Sequence, residues 1–140
     1  MVPLDGSLVS ELALGAAEEA TAHHGRLTLM RVVDIIGSHY LPDQEDRIDL
    51  DEQQRKPAEE YLNDVKKRLR RTDLQVDTMI ASGPPADAIL LVCHEEKASA
   101  ISLCSHTDHK LRQFLLGSTA QRVIKNSPVP VIVVHPSKPD

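Results

Sequence analysis

The segment from Cys104 to Ser118 carries the residues of this chain with the clearest chemical potential. It ends in Gly117-Ser118, directly before a stretch with helical periodicity that begins at Thr119. Serine is a good N-cap, and glycine lets a ligand approach the backbone closely. The start of a helix attracts anions because its first amide groups have no partner within the helix. We therefore expect Ser118 to cap this helix and a phosphate group to be its natural ligand.

Histidines and basic residues in the same segment could also contact an anion. They are His106, His109, Lys110 and Arg112. A second interpretation is a solvated polar loop with a helix cap behind it, and we favour this simpler one. His106, Asp108 and His109, with Cys104 nearby, suggest metal binding, but ligands bunched in one loop without a partner pair elsewhere usually lie on a surface. We expect no metal.

Catalytic motifs are absent from the sequence. There is no Gly-x-Ser-x-Gly elbow and no phosphate-binding Gly-x-x-x-x-Gly-Lys loop, so we expect no catalytic residues and no enzyme. Cys93 shares an apolar helical face with Ile89 and is expected in the core. Cys104, at the end of a predicted strand near histidines, supports only a weaker hypothesis of a redox-sensing thiol.

Composition limits the class of protein. The chain has 140 residues, which suits one domain, and its apolar residues are mostly Leu, Ile, Val and Ala, with no Trp and one Phe. Such a core suits a parallel sheet covered by helices. The net charge of −5 argues against binding nucleic acid or an anionic membrane. Two cysteines and no long apolar run favour a cytoplasmic location.

Strand and helix patterns alternate along the chain, which implies a parallel α/β fold with right-handed crossovers. A long acidic stretch, residues 35–52, has no period and is predicted to be a surface loop. The predicted strands are 1–4, 26–34, 74–80, 98–103 and 131–134, and the predicted helices are 9–20, 58–69, 83–90 and 119–125. The first strand is unusually short, so we expect either a start upstream of Met1 or a truncated central strand.

Three pieces of the chain resemble the universal stress protein family. They are Pro3-Leu4-Asp5-Gly6-Ser7, the helix start at Gly83, and Gly117-Ser118 followed by Pro130-Val131. The resemblance spans essentially all of residues 1–140. It implies one Rossmann-like domain, related to the adenine nucleotide alpha hydrolases, with a five-stranded parallel sheet of order 3-2-1-4-5 and helices on both faces. It also implies a non-enzymatic stress-response or signalling module that forms a homodimer through Val131–Val134.

The resemblance also implies where a nucleotide would bind. In the nucleotide-binding branch of the family, Asp5 would face the base or ribose, Val32 would border the adenine, and a glycine loop would hold the phosphates. Asp5 has a second interpretation as a turn or capping residue, which we weigh equally. The candidate binding residues are Pro3, Asp5, Val32, Leu103, Cys104, His106, Thr107, Gly117, Ser118 and Thr119.

The phosphate loop departs from the family pattern. That pattern is Gly-x-x-Gly, nine residues, then Gly-Ser, and here Cys104 and Thr107 stand at the first two glycine positions. Leu103 stands where the family usually has Met, and His106 stands where it often has Arg. Because β-branched Thr is poorly suited to positive φ, and a Cys side chain takes up space, we predict a lost or weakened nucleotide site and no bound cofactor. The alternatives are a working ATP or AMP binder with a variant loop, and an interaction domain of a longer chain with an unidentified protein partner.

Overall fold

A computed structural model describes residues 1–33, 44–105, 107–108, 113–114 and 116–136, with the backbone alone for 44–51, 107–108 and 113–114. Strands and helices alternate, which confirms the predicted α/β class. The strands are β1 (Val2–Pro3), β2 (Arg26–Val33), β3 (Gln75–Ser82), β4 (Ile101–Cys104), β5 (Thr107–Asp108), β6 (Gln113–Phe114) and β7 (Val131–Val134). The helices are α1 (Ala13–Ala20), α2 (Gln44–Arg68), α3 (Pro85–Glu95) and α4 (Ser118–Asn126), and a 3₁₀ helix at Ser10–Leu12 precedes α1.

The parallel strands form two ladders. One has the order β1-β2-β3 and the other pairs β4 with β7, so the single five-stranded ladder predicted from the sequence is not what the described strands form. Two main-chain hydrogen bonds join the ladders: Ser102 N–H donates to Met1 O at 2.9 Å, and the Met1 amine donates to Ala100 O at 3.0 Å. Because β1 has only two paired residues, it is too short to carry a full ladder along both of its edges.

Helices cover both faces of the parallel strands, as the sequence predicts. Leu29 and Met30 are neighbours on β2, and both are fully buried, but they belong to different apolar clusters. This is the alternation expected of a strand that is buried on both faces. The first cluster includes Ala13, Ala17, Leu62 and Val65 from α1 and α2, and the second includes Ile89, Val92 and Val123 from α3 and α4.

The acidic stretch 35–52 was wrongly predicted to be a loop throughout. Helix α2 already begins at Gln44, while residues 34–43 lie outside the described part of the chain. The sequence from Gln44 to Lys56 is rich in Gln, Glu, Arg and Lys, which form helices well without an apolar period. Glu52, Gln53 and Lys56 are exposed. Apolar periodicity appears only from Ala58 onward, so the sequence pattern predicted a start for α2 that is too late.

A short antiparallel hairpin lies between β4 and α4, where the sequence predicted only a loop. In it, Thr107 pairs with Phe114 and Asp108 pairs with Gln113. β-Branched and aromatic residues favour extended backbone, which suits this pairing. Thr107 and Asp108 are therefore extended rather than part of an open glycine-like turn.

Candidate functional site

A cavity of about 340 Å³ lies at the carboxyl ends of β1, β2 and β4. This is the edge at which open α/β sheets usually bind ligands. Eight of the ten candidate residues line it: Pro3, Asp5, Val32, Leu103, Cys104, Gly117, Ser118 and Thr119. Of the other two, His106 lies outside the described residues, and Thr107 has only its backbone described, in β5. The structure thus brings together residues that are more than a hundred positions apart in the sequence.

Five further residues line the cavity that the sequence did not single out: Leu4, Ser10, Pro85, Ile89 and Ala120. Pro85 and Ile89 lie four residues apart on α3, so they share one face of its first turns. That spacing is visible in the sequence and could have identified the pair. Ser10 could have been found only from the course of the connection after β1, because nothing in its spacing marks it.

The connection after β1 is held by a compact set of hydrogen bonds. The Asp5 carboxylate accepts from the Ser7 N–H at 2.9 Å and from the Ser7 hydroxyl at 2.6 Å. The Ser10 hydroxyl donates to the Ser7 carbonyl at 2.8 Å, and the Ser10 N–H donates to Ser7 Oγ at 3.1 Å. Asp5 is therefore a turn residue that also lines the cavity, so the two interpretations of it are compatible.

Helix α4 begins one residue earlier than the predicted cap implies. Gly117 is the N-cap, and Ser118 is already the first helical residue, so the prediction of Ser118 as the cap is wrong. The first intrahelical bond runs from Gln121 N–H to Gly117 O at 3.0 Å. The amides of Ser118, Thr119 and Ala120 consequently have no acceptor within the helix, and all three residues line the cavity. This end of the cavity favours an anion.

Gly117 does not need glycine for its backbone angles. Its φ is −60°, which any residue can adopt. A helix start without a side-chain cap, as found here within the described residues, leaves its amides open to solvent or a ligand. What glycine contributes at Gly117 is therefore the missing side chain at the cavity wall.

Cys104 forms part of the cavity wall but is nearly buried, with 9% of its surface exposed. Burial raises the pKa of its thiol, and the nearby Asp5 carboxylate raises it further. The thiol lies 3.5 Å from the Ser105 carbonyl oxygen. A protonated, buried thiol is a poor nucleophile, so this environment disfavours the redox-sensing hypothesis. Cys93 of α3 is 1% exposed and belongs to the second apolar cluster, which confirms its predicted place in the core.

Metal binding finds no support in the described part of the chain. Within it, no three His, Cys, Asp or Glu side chains gather closely enough to hold an ion. His106 and His109, which prompted the question, lie outside that part.

Sequence comparison decides the family. A profile of the universal stress protein family matches residues 1–135. The chain belongs to this family. Universal stress protein MJ0531 of Methanocaldococcus jannaschii is 32% identical over 139 residues, which cover 99% of this chain and 82% of MJ0531. Universal stress protein YxiE of Bacillus subtilis is 30% identical over 145 aligned positions, which cover 96% of this chain and 97% of YxiE.

Structural comparison supports the same assignment for this universal stress protein. The solved structure of MJ0577, another Methanocaldococcus jannaschii protein, superposes with a TM-score of 0.82 at 27% identity. The match covers 99% of this chain and 95% of MJ0577. The resemblance inferred from Pro3–Ser7, Gly83 and Gly117-Ser118 is thus confirmed at the level of family and fold.

Proposed function

We propose that this universal stress protein is a non-enzymatic stress-response or signalling module with a weakened adenine-nucleotide site. The observation that carries the proposal is the position of Cys104, a residue of the cavity wall at a point where the family pattern has glycine. Each heavy atom beyond Cα takes space from a ligand and keeps it away from the backbone amides. A nucleotide would therefore lose close contacts at this wall.

The second altered position supports the same conclusion. Thr107 belongs to β5 and pairs with Phe114 across the hairpin. A phosphate loop needs successive amides that converge on one point, which requires a turning backbone. An extended strand directs its successive amides to opposite sides. The backbone at Thr107 therefore does not supply the cradle that a glycine would allow.

Part of an anion site nevertheless persists. The first amides of α4 border the cavity beside Ser118 and Thr119, and Asp5 and Val32 lie on its other walls. We expect ATP or AMP to bind no tighter than about 1 mM, which corresponds to roughly −4 kcal/mol. At this affinity the protein would carry no nucleotide through purification.

A second candidate is a functional ATP- or AMP-binding universal stress protein. The observation in its favour is the meeting of eight candidate residues around one cavity. Native mass spectrometry of protein purified without added nucleotide separates the two. We expect only masses that the polypeptide alone accounts for, as monomer or dimer, and an adenylate retained in stoichiometric amount would favour the second candidate.

Assembly is a further part of the proposal. Pro130 O, directly before β7, accepts from Ile101 N–H at 3.0 Å, and Val134 O accepts from Ser105 N–H at 2.9 Å, so the main-chain groups of the even-numbered residues face β4. By alternation, the main-chain groups of Val131 and Val133 point away from β4. No other described strand pairs with β7. An edge of this kind attracts a second strand, and we propose a homodimer through Val131–Val134.

The remaining expectations also stay proposals. We propose that the two ladders act as one sheet of order β3-β2-β1-β4-β7, supported by the bond from Ser102 to Met1. We propose a cytoplasmic protein, because its two cysteines are too few for a disulfide scaffold. We also propose that it binds neither nucleic acid nor membrane, on the basis of its net charge of −5. An interaction domain with an unidentified protein partner stays the third candidate function. In the part of the chain that the structure describes, no helix combines the length and apolarity needed to cross a membrane.

A further inference from the structure

The connection between β1 and α1 supplies two residues to the cavity wall, Asp5 and Ser10. We call residues 5–12 the β1–α1 connection. Its internal hydrogen bonds, centred on Ser7, give it a shape but do not attach it to the rest of the molecule. Its position must therefore come from contacts with other elements.

Arg31 of β2 forms the first of these contacts. A Cβ placed on Gly6 would lie 2.7 Å from Arg31 Nη1 and 3.1 Å from its Cζ, so the guanidinium packs directly against the backbone of Gly6. Gly6 has φ +90°, a conformation that also favours glycine. Nη1 is buried and has no hydrogen-bond partner among the residues that the structure describes. A guanidinium with one buried nitrogen in this condition needs another stabilising contact.

Tyr61 of α2 provides that contact and a second attachment. The Arg31 guanidinium lies over its ring, with Cζ 5.5 Å from the ring centroid. The Tyr61 hydroxyl donates to Glu11 Oε1 at 3.1 Å, in the 3₁₀ helix one residue after Ser10. Burial raises the pKa of Tyr61 to about 12, with the Glu11 carboxylate adding to the shift, so the hydroxyl keeps the proton that it donates.

Arg68 of α2 also binds Glu11, at the same end of the connection. Its two terminal nitrogens donate to the two Glu11 carboxylate oxygens at 3.0 and 3.1 Å. Such bidentate pairs are geometrically specific. Tyr61 thus contacts Glu11 directly and is linked to Gly6 through Arg31, so one side chain of α2 supports both ends of the connection.

We propose that Arg31 and Tyr61 are positioning residues that hold the β1–α1 connection, and with it Asp5 and Ser10, in the geometry that the cavity presents to an anionic adenylate ligand. Neither residue lines the cavity. The ligand part of this inference rests on the proposed function, whereas the positioning of the connection does not. Helix α2 is then the element through which the cavity wall is set.

The test uses two substitutions of one residue. Tyr61→Leu removes both the ring platform and the hydroxyl, while Tyr61→Phe keeps the platform. Backbone ¹⁵N order parameters at Gly6 and Ser7 should fall from about 0.85 to below about 0.6 in Tyr61→Leu and stay near the wild-type value in Tyr61→Phe. Arg31→Met should loosen Gly6 in the same way, and it provides a second variant should Tyr61→Leu fold poorly.

Affinity for AMP supplies the second readout. The measurement uses the double variant Cys104→Gly with Thr107→Gly, in which AMP binding is expected to be measurable. Adding Tyr61→Leu to it should weaken AMP binding at least about fivefold, and adding Tyr61→Phe should weaken it by less than about twofold. Asp73→Asn is the control, because it breaks an ion pair with Arg71 away from the connection. It should lower stability without altering the order parameters or the affinity.

Three outcomes decide the matter. Unchanged order parameters at Gly6 and Ser7 in both Tyr61→Leu and Arg31→Met would overturn the proposal. So would a loosened connection with unchanged AMP affinity. Failure of the glycine background itself to bind AMP would instead count against the proposed function, while the order parameters would still decide whether Arg31 and Tyr61 position the connection.

Discussion

Arg71 and Glu18 bind each other reciprocally. Arg71 Nη1 donates to the Glu18 carbonyl oxygen at 2.6 Å, and the Glu18 carboxylate accepts from the Arg71 backbone N–H at 2.9 Å. The same Nη1 donates to the carbonyl oxygen of Thr21 at 2.6 Å. The last carbonyls of a helix have no partner within it, so one guanidinium satisfies the end of α1 and fixes the turn between α2 and β3.

The first prediction concerns this junction. Arg71→Met should lower the melting temperature by at least about 3 °C more than Arg122→Met, since the ion pair that the described residues show for Arg122 is an exposed one with Asp87 at 3.0 Å. Thermal unfolding followed by circular dichroism makes the comparison. Equal melting temperatures for the two variants would mean that the carbonyl contacts of Arg71 contribute no more than a surface ion pair.

Acid stability should depend on Asp73. The hydrogen bond from Arg71 holds the pKa of the Asp73 carboxyl well below its ordinary value of 3.8. A carboxylate whose pKa is lowered by folding stabilises the protein above its unfolded pKa and loses that contribution as the pH falls through the folded value. Urea unfolding at pH 5, 4, 3 and 2 should show a smaller acid loss in Asp73→Asn than in wild type. Parallel losses in both proteins contradict the prediction.

Two glycines should respond oppositely to alanine. Gly15 lies in α1, where no described heavy atom comes within 4 Å of an added Cβ, so Gly15→Ala should stabilise by about 0.5–1 kcal/mol. Gly83 has φ +113°, so Gly83→Ala should destabilise by more than about 1 kcal/mol. Chemical denaturation of both variants gives the two values. A stabilised Gly83→Ala would show that the backbone there is not constrained.

The proposed homodimer depends on the outward main-chain groups of β7. Val133→Pro removes one outward N–H, while Val133→Thr keeps it and serves as the matched control. Multi-angle light scattering at micromolar concentration should give a dimer for wild type and Val133→Thr, and a 15.5 kDa species for Val133→Pro. A monomeric wild type rules out pairing through this edge at that concentration.

The sequence predicted the fold wherever the burial of apolar residues shaped the pattern. Strand β7 was predicted with its observed bounds, and β2 and β4 were found to within a few residues, because parallel strands that helices cover are continuous apolar runs. The first half of α2 was missed because helix formation from Gln44 follows intrinsic propensity and leaves no apolar period. The short hairpin of β5 and β6 was missed because two-residue strands leave no pattern at all.

The candidate site was predictable to a similar extent. Asp5, Val32 and Gly117 could be identified because they follow or border elements whose order places them at one sheet edge. Ser10 could not, since its place at the cavity depends on hydrogen bonds with Ser7 that no spacing reveals. The attachment through Arg31 and Tyr61 was equally invisible, because a contact between β2 and α2 across thirty positions depends on tertiary packing.

Isothermal titration of ATP into wild type and into Cys104→Gly with Thr107→Gly tests the central claim most directly. If these two positions weaken the site, wild type should bind no tighter than about 1 mM, and the double variant should gain at least about tenfold, or about 1.4 kcal/mol. Micromolar binding by wild type would contradict the account. So would the absence of any gain in a double variant that circular dichroism shows to be folded.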